Sequence, residues 1–175
     1  MLVADVQLRW ENSPMPALAT SSTWDAETCL SRERERTEKH EYLLGEVFAR
    51  GGARQAQILV AGNLYAALKQ RPRGSPCRAY VSDMKPRVTA ADAFFYPDVM
   101  LFCDDRDPAA YRLLPTLREC ILVDIEARRF ELYRRTDSGD WLLHDGRPPD
   151  GVCPIASLEL SVPVEEIFED APAPE

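Results

Sequence analysis

The clearest period in the chain lies in "AQILVAGNLYAALKQ", where Ile58, Ala61, Tyr65 and Leu68 recur at three- or four-residue spacing. That spacing predicts a helix stopped by Pro72 and Gly74, with one apolar face packed on a sheet. Shorter runs surround it. "HEYLLGEVFARGG" alternates around Gly45 and predicts a hairpin. "CRAYVSDMKPRV", broken at Pro86, and "FFYPDVMLF" read as successive strands, and "ECILVDIE", "RRFELYRR" and "DWLLHD" as three more. Between these two groups, "CDDRDPAA" is a polar loop that leads into a short helical piece near Tyr111. Ahead of the hairpin, "TWDAETCLSRERERTEK" has Thr23 as N-cap candidate, acids in the first turn and a charged continuation, which predicts a solvated helix. The tail "ASLELSVPVEEIFEDAPAPE" holds one more strand and a short acidic end.

This order predicts a mixed α/β (α+β) domain, a helix on a largely mixed β-sheet. Residues 1–22 contain Pro14, Pro16 and a Ser/Thr cluster without sustained periodicity, and read as a flexible N-terminal extension with Met15 as a candidate start. The domain is expected over residues 23–170, with a disordered tail over 171–175. A length of 175 residues and 45% hydrophobic content suit one core. No window approaches the roughly 20 apolar residues of a membrane span, and "MLVADVQLRW" lacks the basic start and apolar stretch of a signal peptide. A cytoplasmic location with no membrane partner is expected.

Five cysteines without a CxxC pair fit reduced thiols better than a disulfide framework, and two histidines, His40 and His144, give no zinc-site spacing. The net charge of −8 argues against a phosphate-backbone partner when taken alone. It is unevenly spread. Residues 1–90 carry 13 Lys and Arg against 10 Asp and Glu, whereas residues 91–175 carry 8 against 19, so a basic face in the first half stays open. Lys69, Arg71 and Arg73 could touch phosphates there, and a solvated helix end accounts for them equally well.

The Pro-Asp step at Pro97–Asp98 puts a carboxylate inside an otherwise apolar run. Asp is depleted in strands, and a buried one must be paired, hydrogen-bonded or bound to metal. The proline removes a ladder donor, so this strand is expected at a sheet edge or at a bulge.

Five ordered segments, "EKHEYLLGEVFA", "GNLYAAL", "PCRAYVSDMKPRV", "YPDV" and "LPTLRECILVD", resemble the Uma-two family, a restriction-endonuclease-like branch of the PD-(D/E)XK nuclease superfamily. The resemblance covers roughly residues 23–170. It implies a nuclease-type fold and Mg²⁺- or Mn²⁺-dependent hydrolysis of DNA phosphodiester bonds, in which a metal polarises phosphoryl oxygen and activates water. Asp98 matches the family's first metal carboxylate. Glu46 aligns with an acid that can lie near the metal, and Glu41 is a further acidic candidate. Asp83 and Lys85, two apart in "SDMK", are candidates for the edge of the site, the alternative being ordinary surface positions on a strand. Gln57 stands where the family often has His, and His40 reads as a boundary residue.

The chain departs from the family after "YPDV". Members continue with a strand carrying Glu, of the form E-V-L-S-P-S-T, whereas here "YPDVMLFCDDRDPAAY" passes straight to "RLLPTLREC". The resemblance therefore implies a sheet lacking one central strand, in which "VMLF" must re-pair with "CILV" or leave edges open. Three readings follow: a metal-dependent endonuclease with an incomplete site, a catalytically inactive relative that binds nucleic acid or protein, or a decayed gene product. Paired cuts on two strands would suit a homodimer.

Overall fold

A computed structural model describes residues 2–7, 24–70, 76–82, 84–88, 92–103 and 117–173. Its first helix, α1 (Ala26–Glu33), starts where Asp25 accepts from the Thr28 amide at 2.7 Å. Asp25 is the cap; Thr23 lies outside the described residues. The hairpin forms from β2 (His40–Leu43) and β3 (Glu46–Ala49), joined through Leu44 and Gly45. Both turn residues have positive φ, 50° and 92°, the combination that matches the twist of a two-residue hairpin.

Helix α2 (Gln55–Lys69) buries Val60, Ala61, Leu64, Ala67 and Leu68. Ile58, expected on that face, is 60% exposed. The helix is apolar nearly all round, so period alone did not fix which stripe would face the sheet.

The strands that follow are β4 (Arg78–Val81), β5 (Arg87–Val88), β6 (Ala93–Phe94) and β7 (Val99–Phe102), then β8 (Glu119–Asp124), β9 (Arg129–Arg135) and β10 (Trp141–Gly146). The helical piece expected near Tyr111 lies outside the described residues. The tail adds β11 (Val152–Ile155), a 3₁₀ turn over Ala156–Leu158, β12 (Leu160–Pro163) and α3 (Val164–Ile167). The Ala171 carbonyl accepts from Arg128, so order reaches into the expected tail.

The main correction concerns the N-terminus. Leu2–Gln7, expected to be a flexible extension, forms β1 in the middle of a six-stranded sheet of order β10-β9-β8-β1-β7-β4. It runs antiparallel to β7 and parallel to β8. The gap that the sequence predicted between "VMLF" and "CILV" is thus closed by a strand from the other end of the chain. Leu2 is fully buried in the core formed by α2, Val99, Leu101, Ile121 and Phe130.

Strand β7 is buried along its whole length, unlike the alternating β8. Val99 and Leu101 face the α2 core, whereas Met100 and Phe102 pack with Leu117, Tyr80 and Met84 on the opposite side. A strand covered on both faces reads as a continuous apolar run. It is not the edge strand expected from Pro97, which precedes β7 and so removes no donor from it. A smaller sheet, β3-β2-β6-β5, carries the hairpin beside it. Cys77 and Cys103, at the open end of the β4–β7 ladder, form a disulfide, against the expectation of reduced thiols, while Cys29, Cys120 and Cys153 are thiols. No helix among the described residues is long and apolar enough to cross a membrane.

Candidate functional site

Asp98 lies just ahead of β7, where the chain crosses from the small sheet to the large one, and is only 5% exposed. Arg50, the residue after β3, donates from Nη2 to Asp98 Oδ1 at 2.7 Å. Its Nη1 donates to the Tyr96 carbonyl, so one planar guanidinium holds both backbone and carboxylate of the Pro-Asp segment. Gln57, in the first turn of α2, donates to Asp98 Oδ2 at 3.3 Å. Both carboxylate oxygens are therefore engaged, by residues from the two ends of the segment that joins the hairpin to α2.

The wall of this site is acidic and hydroxylic. Glu41 on β2 accepts from the Tyr96 amide at 3.3 Å. Tyr96 donates its hydroxyl to Glu33 Oε1 at 2.9 Å, and burial first, then that bond to Glu33, pushes its pKa well above the usual phenol range. Glu33 also accepts from the His40 amide at 2.7 Å and from His40 Nδ1 at 3.2 Å. His40 is thereby fixed at the boundary between α1 and β2. Lys85 sits over the rings of Phe94 and Tyr96, at 4.8 and 5.5 Å, where burial lowers its pKa.

A family model described as "Uma2: Putative restriction endonuclease" matches residues 26–112. Over that part of the chain the fold assignment is Uma2-family and PD-(D/E)XK-like. The uncharacterized protein slr1290 of Synechocystis is 24% identical over 186 residues, spanning 90% of this chain and 94% of its own. A second uncharacterized Synechocystis protein, sll1609, is 28% identical over 160 residues, 74% of this chain and 90% of its own. Among solved structures, "a putative nuclease belonging to DUF820" from Anabaena variabilis aligns with a TM-score of 0.59 at 13% identity. The alignment covers 79% of this chain and 96% of that one. That likeness shows the fold, a mixed α/β arrangement resembling restriction endonucleases.

Seen as a Uma2-type site, the donor set is short of ligands. Mg²⁺ keeps oxygen ligands in a near-octahedral shell. Among the described residues no group of three His, Cys, Asp or Glu side chains is placed to hold a metal ion. Glu46 opens β3 on an exposed position, and Asp83 lies outside the described residues. The described residues therefore do not fit the metal that the resemblance implies, and Arg50 already supplies positive charge to Asp98.

Arg50 is the residue that sequence reasoning missed. Its signal was the unmet need of Asp98 for a partner, with Arg50 the cation ending the hairpin ahead of Gly51 and Gly52.

Proposed function

We propose that this chain is a non-cleaving Uma2-type domain, which keeps the nuclease fold and acts as a nucleic-acid or protein binding module. The single observation that carries this reading is Arg50 seated on buried Asp98 at 2.7 Å. A guanidinium bound there opposes a divalent cation by both charge and volume, and metal activation of water needs that position. The alternative, Mg²⁺- or Mn²⁺-dependent hydrolysis of DNA, requires the ion pair to open and further ligands to arrive.

Of the two binding partners, nucleic acid draws support from the uneven charge, because cations concentrate in the first half of a chain that is acidic overall. Arg32, Arg34 and Arg36 are exposed at the end of α1 and just beyond it.

The test is incubation of the purified chain with supercoiled plasmid and single-stranded DNA in Mg²⁺ or Mn²⁺, with EDTA and Asp98→Ala as controls. No cleavage above that of Asp98→Ala is expected. Cleavage that needs both metal and Asp98 would overturn the reading. Fluorescence anisotropy of a labelled duplex then separates the partners: binding that weakens with salt supports nucleic acid, and its absence at low salt leaves a protein partner.

A further inference from the structure

The six-stranded sheet ends in two edges of different character. Strand β4 is four residues long, opens on exposed Arg78 and stops ahead of Ser82, whose φ is 54°. Short, charged and interrupted edges resist pairing with another chain. Strand β10 has none of these devices. Its register with β9 runs unbroken from Trp141 to Gly146, with no proline, lysine or arginine. Its opening residues are large, apolar and exposed: Trp141 at 44%, Leu142 at 52% and Leu143 at 54%.

The phase of the ladder decides which main-chain groups look outward. The Thr136 amide donates to the Asp140 carbonyl at 2.8 Å, whereas the Arg135 amide, opposite Trp141, turns away to the Arg118 carbonyl at 2.8 Å. Hydrogen-bonded and non-hydrogen-bonded pairs alternate along an antiparallel ladder. Leu142 and His144 therefore spend their main-chain groups on β9, and Trp141, Leu143 and Asp145 point theirs to the open side. Among the described residues β9 is the only strand beside β10 in the sheet.

We infer that β10 pairs antiparallel with β10 of a second copy of this chain, about a two-fold axis at Leu142. In that register Trp141 and Leu143 exchange main-chain bonds with Leu143 and Trp141 of the second copy, and each apolar side chain meets another. Exposed Asp140 comes opposite half-buried His144, so no like charges face each other. An axis at Leu143 would instead set Asp145 against Trp141, and one at Trp141 would set Asp140 against Leu142. A two-fold contact of this kind uses the same strand of both copies and closes on itself. The inference goes beyond the binding reading of the Asp98 site and does not depend on it.

Sedimentation velocity of the full chain over a concentration series is the first test, and a dimer that grows with concentration is expected. Leu142→Glu sets two carboxylates against each other at the axis, and Leu142→Lys two ammonium groups. Each variant is expected to be a monomer, and their equimolar mixture should regain the dimer. Because Leu142 is half exposed, both should fold, which circular dichroism checks. A native chain that stays monomeric at every concentration, a dimer that survives both substitutions, or a mixture that stays monomeric would overturn the inference.

Amide exchange, compared between the native chain and Leu142→Glu, reads the strand directly. The Trp141 and Leu143 amides are expected to exchange about tenfold or more slowly in the native chain, while those of Leu142 and His144, already bonded to β9, change less. No slowing, or equal slowing at all of these positions, would count against pairing through the outer edge of β10.

Discussion

The chain buries two carboxylates among its described residues, Asp98 and Glu119, and treats them differently. Each has an arginine partner with about a quarter of its side chain exposed, Arg50 on Asp98 at 2.7 Å and Arg134 on Glu119 at 2.9 Å. What separates them is the rest of the shell. Glu119, at 1% exposure, also accepts from the amides of Ala156 and Ser157, each at 3.0 Å, and from the Ser157 hydroxyl. These donors belong to the 3₁₀ turn after β11, so Glu119 ties the large sheet to the C-terminal strands. Asp98 is held by side chains, Arg50 and Gln57, from elements that converge only through tertiary packing. The backbone donors to Glu119 are fixed by the turn that carries them, whereas the Arg50 and Gln57 side chains can turn away from Asp98.

Glu119→Ala is the harshest way to test this contrast. It removes the acceptor of Arg134 Nε and of two backbone amides at once, and removing one partner of a buried ion pair typically costs about 3–5 kcal/mol. Urea unfolding should place the loss in that range. Asp98→Ala leaves Arg50 able to turn toward solvent, so about 1–3 kcal/mol is expected. Equal losses would erase the distinction. Arg50→Ala combined with Asp98→Ala should cost less than the two single losses added, since both remove the same bond.

The contrast also has a pH signature. Burial raises the Glu119 pKa, but the Ser157 hydroxyl and amide, Arg134 and the Ala156 amide outweigh it and leave it below the ordinary value of 4.5. A folded-state pKa below the unfolded one means that the group's contribution is complete above the unfolded value. It is lost as pH falls through the folded value. Stability should therefore drop on acidification below about pH 4.5, and Glu119→Gln, already weaker at neutral pH, should show a shallower drop. A variant with the same acid slope as the native chain would assign that slope to other carboxylates.

Much of this fold was legible. The hairpin declared itself through Gly45, α2 through its spacing and its Pro-Gly stop, and β8 as the short apolar run in "ECILVDIE". What escaped has physical causes. Six residues, "LVADVQ", are too few for periodicity to speak, and β1 draws its stability from partners about a hundred positions away. β11 was hidden by Pro154, a residue that argues against a strand yet sits in a two-stranded ladder with no outer neighbour to serve. At the site, the sequence pointed to Asp98 and asked for its partner. It could not supply Arg50, because an ion pair 48 positions apart is set by how the hairpin docks.

The gentlest probe is Gln57→Ala. Its amide reaches Asp98 Oδ2 at 3.3 Å, a long bond from a neutral donor, while Arg50 supplies the charge-assisted one. Truncating Gln57 should cost less than about 1 kcal/mol in urea unfolding, below the loss from Arg50→Ala. The order of those two losses matters more than either value. If Gln57→Ala proves the costlier, the amide anchors Asp98 to α2 and the guanidinium is a replaceable neighbour, which would make room for a metal after all. If Arg50→Ala is the costlier, as expected, the carboxylate is organised around its internal cation, and Gln57 only sets the direction in which its second oxygen points.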